Sequence, residues 1–312
     1  MPPIEFQRYA VIGSGAVGGL YGGLLAQAGA EVHFLLRSDY EHVAANGLQI
    51  ETPTGNFHLD NVHAHGSVDS LPACDVTMVA LKSTSNGRLH ELLAPTTRDG
   101  GIALVLQNGL DVELDTANVV GLDRVLGGCC FLCSNKLGPG HIKHLDYGRI
   151  VFGEYVQNHT DVTERVQKIA DEMNAAGIDA HGTADLAAAR WRKLMWNIPF
   201  NGLSVALNAS TKVLVEDPDS LHIVESIIEE VYEAATAAEV VIDPSMKEVT
   251  VEMTRKMVPY DSSMRLDYIN GRPMEIESII GNPLRAARKL GVDMPFTEML
   301  YHQLKFIEQT RA

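Results

Sequence analysis

An α/β domain over residues 1–183 followed by an all-α domain over 184–312 is what the chain predicts, on three observations. Up to about residue 183 short β-branched runs alternate with helical stretches, the pattern of a parallel sheet built from βαβ units. From Ala184 onward those runs thin out and long helical patterns take over. A glycine-rich turn, Gly13-Ser14-Gly15-Ala16-Val17-Gly18, directly follows the first apolar run and opens a helical one. A length of 312 residues suits about two hydrophobic cores, and with no internal repeat or low-complexity linker the two halves are expected to be closely connected.

The expected strands are Tyr9–Ile12, Glu31–Leu36, Asp75–Leu81, Ile102–Leu106 and Arg124–Gly127, then His141–Leu145 and Arg149–Gly153 as a hairpin around Tyr147-Gly148. Gly19–Ala28 and Asp161–Ala176 read as helices, the second ended by Gly177. The second half predicts helices over Leu186–Leu207, Ser220–Glu239, Pro244–Met257, Glu275–Leu290 and Pro295–Gln309.

Charge narrows the partners. Twenty-five Lys and Arg against 40 Asp and Glu leave a net charge of −15, which repels nucleic-acid phosphates and anionic lipid, so no nucleic acid and no membrane is expected as a partner. Four cysteines are too few for a disulfide framework and suit the cytoplasm. The uncharged run Tyr9–Ala30 is long enough to span a bilayer, but seven of its residues are glycine and the N-terminus lacks the pattern of a signal peptide. A soluble chain is expected, with the sequons at Asn158 and Asn208 unused.

A strand, then GxGxxG, then a helix is the context of a Rossmann-type dinucleotide fingerprint. Gly13 permits the tight turn, Gly15 lets the backbone approach a pyrophosphate, and Gly18 lets helix and strand pack closely. Ser14, Ala16 and Val17 complete the turn, and the N–H groups of the helix end face the anion. The second strand ends Leu35-Leu36-Arg37-Ser38, with no carboxylate at the position that would bind a ribose 2′-OH. A guanidinium there can pair with a 2′-phosphate, so NADP(H) is favoured over NAD(H), unless Arg37 is only a solvated loop residue. Lys82 stands at another strand end and can add positive charge near the adenosine phosphate. Asn108-Gly109 follows a strand too; it is either an Asn-Gly turn or an amide between nicotinamide and substrate.

The most informative helix runs from Ala189 to Ser204. After Lys193 it is mostly apolar, yet Lys193, Asn197, Asn201 and Ser204 stand at i, i+4, i+8 and i+11, sharing one narrow arc at about 100° per residue. A buried helix that keeps one polar stripe lines something, and a desolvated lysine is tuned toward proton transfer. The alternative is a Lys193 that reaches solvent and asparagines that bridge helices. Farther on, Asp261 or Ser262 reads as the cap of a helix that includes Ser263, and Glu275 stands at another helix start, where the dipole alone favours a carboxylate.

Taken together these motifs resemble the ketopantoate reductases, or 2-dehydropantoate 2-reductases, of the wider 6-phosphogluconate-dehydrogenase-like group. The resemblance rests on the Gly13–Gly18 turn, Leu81-Lys82, Gln107-Asn108-Gly109, the Pro139-Gly140 hairpin with Gly148 and Gly153, and Trp191-Arg192-Lys193-Leu194 followed by Asn197 and Asn201. Ser262-Ser263-Met264 leading to Gly271-Arg272-Pro273-Met274-Glu275-Ile276 completes it. It implies NADPH-dependent reduction of a small-molecule 2-oxo acid, ketopantoate to pantoate, in a cleft between the domains. By resemblance Lys193 protonates the carbonyl oxygen, Asn197 and Asn201 bind polar groups of the substrate, Ser263 its carboxylate and Glu275 its hydroxyl end. Asn108 then lies between cofactor and substrate. Two positions depart from the pattern: only Ser83 or Ser85 follows Lys82 on the adenine side, and a further substrate asparagine has Asn208 and Thr211 as rival matches. Another 2-oxo or 3-oxo acid as substrate, a non-catalytic NADP(H) sensor, and the quaternary state, a homodimer included, stay open. Cys129, Cys130 and Cys133 with His141 and His144 are poorly spaced for zinc and read as buried thiols and a hairpin, so no metal is expected. His42, His58, His63 and His65 read as surface loop.

Overall fold

A computed structural model of the chain describes residues 5–156, 159–258 and 260–311; the sequon at Asn158 lies outside them. Ten strands among these residues form one sheet. They are β1 (Tyr9–Ile12), β2 (Val32–Leu35), β3 (Leu48–Glu51), β4 (Phe57–Leu59), β5 (His63–His65), β6 (Cys74–Val79), β7 (Thr97–Val105), β8 (Val125–Gly138), β9 (His141–Glu154) and β10 (Ala180–Gly182). Five helices accompany them: α1 (Ala16–Gln27), α2 (Tyr40–Asn46), α3 (Leu89–Thr96), α4 (Glu113–Val120) and α5 (Glu164–Ala175). Then follow α6 (Leu186–Ala206), α7 (Thr211–Glu216), α8 (Pro218–Ala237), α9 (Met246–Lys256), α10 (Ser263–Ile269), α11 (Asn282–Lys289) and α12 (Pro295–Thr310).

The chain divides into two compact units, residues 1–107 with 112–186, and residues 108–111 with 187–312. In the first, the sheet order is β4-β3-β9-β8-β7-β6-β1-β2-β5, with β10 added beside β9. β1 pairs in parallel with both β2 and β6, so the chain runs outward one way through β2 and β5 and the other way through β6, β7 and β8. That reversal makes the carboxyl end of β1 the switch point, where open α/β sheets bind ligands. Tyr9 and Val11 enter one core with Leu20, Tyr21 and Leu25 of α1, while Ala10 and Ile12 enter the other with Leu89 and Leu93 of α3. Burial on both faces explains why β1 is a continuous apolar run.

Two expectations need correction. Tyr147-Gly148 is not a hairpin turn: β9 runs unbroken from His141 to Glu154 against β8, and the chain reverses at Pro139-Gly140 instead. Phe131 pairs with Arg149 and Leu132 with Tyr147, so Gly148 is the extra residue of a bulge. His42, His58, His63 and His65 are not in a loop either, since His42 belongs to α2 and the others to β4 and β5. These strands have only three residues each, too few to show alternation in the sequence.

The second unit is helical, packed around Trp191, Leu194, Ile198, Phe200, Ile227, Val231, Ile279 and Leu300. No helix of the described residues is long and apolar enough to cross a membrane, and the run from Tyr9 to Ala30 is β1, the turn and α1. Two carboxylates fasten α12. Glu230 of α8 is buried and accepts the N–H groups of Phe296 (2.8 Å) and Thr297 (2.9 Å) and the Thr297 hydroxyl (2.7 Å), satisfying the start of α12. Glu277 accepts bonds from Tyr301 (2.8 Å) and Lys305 (2.9 Å) of α12 and from Arg285 of α11 (3.0 Å). Burial opposes its ionised form, but these donors hold its carboxyl at about 2.

Glu230→Ala, by stranding the buried Thr297 N–H and the part-buried Phe296 N–H, should lower stability in urea by about 2–4 kcal/mol; a loss under about 0.5 kcal/mol would show that water replaces the bonds. Glu277 has a folded pKa below its ordinary 4.5, so its contribution is present above that value and is lost as pH falls toward about 2. The stability gap between wild type and Glu277→Gln should therefore narrow on acidification below 4.5, and a gap that is constant with pH contradicts the assignment.

Candidate active site

In the α/β unit the glycine turn leaves β1 at the switch point. Gly13 has φ +102°, and a Cβ there would stand 2.3 Å from the backbone nitrogen of Leu81, so only glycine lets the turn lie against the end of β6. Ser14 Oγ donates to the carbonyl of Leu35 at 3.2 Å, tying the turn to the end of β2. Around Gly15 there is open space, with nothing within 4 Å of where a side chain would begin. Gly15 is also the N-cap of α1; no side chain caps that end, and its first turn, Ala16-Val17-Gly18, holds no acid. Unfilled space beside uncapped helix N–H groups fits a pyrophosphate.

Arg37 lies just beyond β2, exposed and in no ion pair among the described residues. Asp39, the carboxylate nearest it in sequence, is only 5% exposed. It is bound by Lys136 Nζ, by the Gly140 N–H at 3.1 Å and by Ser38 Oγ at 3.1 Å. Burial alone would raise the Asp39 carboxyl, and the bonds from Lys136 and Gly140 overcome it and hold the group below its ordinary range. A turn with a free guanidinium and an occupied carboxylate fits a 2′-phosphate better than a 2′-hydroxyl. Lys82 follows Leu81 at the end of β6, half-buried, and Gln107 Nε2 donates to the Leu81 carbonyl (2.9 Å) and to Asn86 Oδ1 (2.7 Å), bracing that loop.

The helical unit carries the stripe on α6. Lys193 is 8%, Asn197 4% and Asn201 1% exposed, and Ser204 is fully buried, which sets aside the solvent-reaching reading of Lys193. Asn201 Oδ1 accepts bonds from Ser263 Oγ and from the Met264 N–H, both at 3.3 Å, so Ser263 joins the stripe. Ser204 and Ser262 hydroxyls meet at 2.7 Å, and Ser262, rather than Asp261, caps α10 by accepting the Arg265 N–H. Asn197 Nδ2 is enclosed and has no hydrogen-bond partner among the described residues. Leaving a buried amide donor unpaired costs about 1–3 kcal/mol, which suits a group reserved for a ligand oxygen.

Glu275 is buried and directly precedes a helical stretch that opens with a π turn, Glu277–Gly281. Asn108 and Gly109 are held against that turn. The Leu110 N–H donates to the Ser278 carbonyl at 2.9 Å, Asn282 Nδ2 donates to the Leu110 carbonyl at 2.7 Å, and Gly109, at φ +119°, passes so close that a Cβ would lie 2.4 Å from the Ser278 oxygen. This segment therefore clusters with the helical unit although it directly follows a strand of the sheet. The rival matches are both engaged: Asn208 Oδ1 accepts from Arg265 Nη2 at 3.3 Å, and Thr211 Oγ1 donates to the Tyr260 carbonyl at 3.1 Å. Sequence reasoning missed the Lys136–Asp39 pair and the Ser204–Ser262 bond, which join residues too distant along the chain for any spacing rule.

Comparison with known proteins gives matches over nearly the whole chain. The family described as ketopantoate reductase PanE/ApbA matches residues 9–157, and its C-terminal counterpart matches residues 185–308. A 2-dehydropantoate 2-reductase from a Nostoc species is 47% identical over 304 residues, covering 97% of this chain and 95% of that protein. The crystal structure of 2-dehydropantoate 2-reductase from Geobacter metallireducens superposes with a TM-score of 0.92 at 39% identity, over 96% of this chain and 99% of that one. The Methylococcus capsulatus enzyme structure gives 0.86 at 33% identity, over 97% of each chain. With a sheet switch point carrying a glycine turn, a buried Lys-Asn-Asn stripe and matches over nearly its whole length, the chain belongs to the ketopantoate reductase PanE/ApbA family of NADP(H)-binding oxidoreductases.

Proposed function

We propose that the protein reduces a 2-oxo acid to the 2-hydroxy acid with NADPH, ketopantoate to pantoate, a step toward pantothenate and coenzyme A. The observation that carries this reading is the buried stripe, with an enclosed and unpaired Asn197 amide one helical turn from a buried Lys193. The names of the relatives support the choice of substrate. The surplus of acids and the four cysteines, none of them in a disulfide, support a cytoplasmic setting.

Bound NADPH supplies the hydride from C4 of its nicotinamide. The Lys193 ammonium stabilises the negative charge that grows on the carbonyl oxygen and gives that oxygen its proton, so that C=O becomes CH–OH. Asn197 donates its free N–H to a substrate oxygen. Asn201 is held by the Met264 N–H and Ser263 Oγ, which fixes its amide and places the Ser263 hydroxyl for the substrate carboxylate. Glu275 accepts from the hydroxyl end of the substrate, and Asn108, braced through Leu110 on Ser278, serves cofactor and substrate. Gly13–Gly18 hold the pyrophosphate; Arg37 takes the 2′-phosphate, with Lys82 adding positive charge.

NADPH oxidation followed across a panel of 2-oxo and 3-oxo acids should be fastest with ketopantoate. A different preferred acid reassigns the substrate, and NADPH binding without turnover of any acid leaves a sensor. Lys193→Ala should lower kcat by about 100-fold or more, and an unchanged kcat removes Lys193 from the proton transfer. Arg37→Asp should weaken NADPH binding by about tenfold to a hundredfold and move preference toward NADH; equal losses for both coenzymes would free Arg37 from the 2′-phosphate.

A further inference from the structure

Asp39 stands at the N-cap position of α2, where an aspartate ordinarily accepts an N–H of its own helix. Here its side chain makes no such bond. Its carboxylate points instead to Lys136 near the end of β8 and to Gly140 in the β8–β9 turn, 101 residues downstream of it. The Lys136 side chain is about one-third exposed and the Asp39 side chain nearly enclosed, so the ammonium comes from the solvent side to a buried acid. Two residues earlier, Arg37 faces solvent without an ion pair among the described residues. Asp39 is the sole acid in the connection Leu36-Arg37-Ser38-Asp39. A carboxylate at this edge is the device that selects a ribose 2′-hydroxyl and repels a 2′-phosphate.

We infer that Lys136 is a positioning residue for coenzyme choice: by holding the Asp39 carboxylate in the β8–β9 hairpin, it keeps the acid of the Arg37 turn from the ribose edge and from Arg37 itself. This rests on the NADPH reading above. Without the ammonium, a buried carboxylate loses its counter-charge and turns outward, where a guanidinium two residues away offers bidentate pairing. Arg37 is then neutralised, and a 2′-hydroxyl acceptor appears beside it. Lys136 touches no coenzyme in this scheme and acts only through Asp39.

The test is direct binding of NADPH and NADH, by titration of their fluorescence, to wild type, Lys136→Met, Asp39→Asn and the double variant, with thermal midpoints to confirm folding. Lys136→Met should weaken NADPH by about tenfold while NADH holds or tightens. Adding Asp39→Asn should restore NADPH preference, because no carboxylate remains to be released, and Asp39→Asn alone and Lys136→Arg should keep it. Equal weakening of both coenzymes by Lys136→Met, or failure of Asp39→Asn to rescue it, overturns the inference and leaves the pair a structural clamp. A wild-type protein that binds the two coenzymes equally overturns the NADPH reading, and this inference with it.

Discussion

The parallel pairing of β1 with β2 on one edge and β6 on the other governs where the chemistry of the α/β unit can be. Because every residue of β1 is buried, its side chains are committed alternately to the two cores, and nothing in the strand is left to meet a ligand. Binding has to begin where the strand stops. There the close approach of Leu81 admits only a residue without a side chain, and the chain turns at Gly13 into the uncapped end of α1. Ser14 then fastens the turn to the end of β2, so the glycine turn and the Arg37 turn are placed by the same pairings that build the core.

The helical unit meets the opposite requirement, since its polar stripe lies inside. A stripe of Lys, Asn, Asn and Ser within an apolar helix is tolerable only when most of its polar atoms are paired. Asn201, Ser204, Ser262 and Ser263 achieve this among themselves and with the start of α10. Asn197 stands out against that completed network. The π turn at Glu277–Gly281 widens the helix next to Glu275, a common device near functional groups, and the Asn108-Gly109 connection is bonded to it.

In a protein with a charge of −15, the fate of individual charges matters more than their sum. Several acids are withdrawn into structure. Glu230 caps α12, Asp39 binds Lys136, and Glu172 accepts the Tyr9 hydroxyl at 2.5 Å and the Gln7 N–H at 3.2 Å. Arg37 keeps its charge exposed and outside any ion pair among the described residues. The local field at the Arg37 turn is thus set by which carboxylates are occupied, although the global field opposes an anionic ligand.

By itself the sequence determined whatever depends on neighbours along the chain. The α/β-then-α order, the glycine turn with its strand and helix, and the stripe from Lys193 to Ser204 were all legible, because periodicities of 2 and 3.6 bring residues a few positions apart onto one face. The same local reading takes the Tyr147-Gly148 bulge for a hairpin turn, because a glycine between two β-rich runs reads alike in both. It missed β3, and it missed β4, β5 and β10, which at three residues each are too short to carry a period. Tertiary structure alone decided which partners the polar groups found: Lys136 for Asp39 across 97 positions, Ser262 for Ser204, Ser278 for the backbone beside Asn108, and none among the described residues for the Asn197 amide. Those choices rest on desolvation, because a buried charge or amide must be paired from whatever element packs against it, and no local pattern specifies that element.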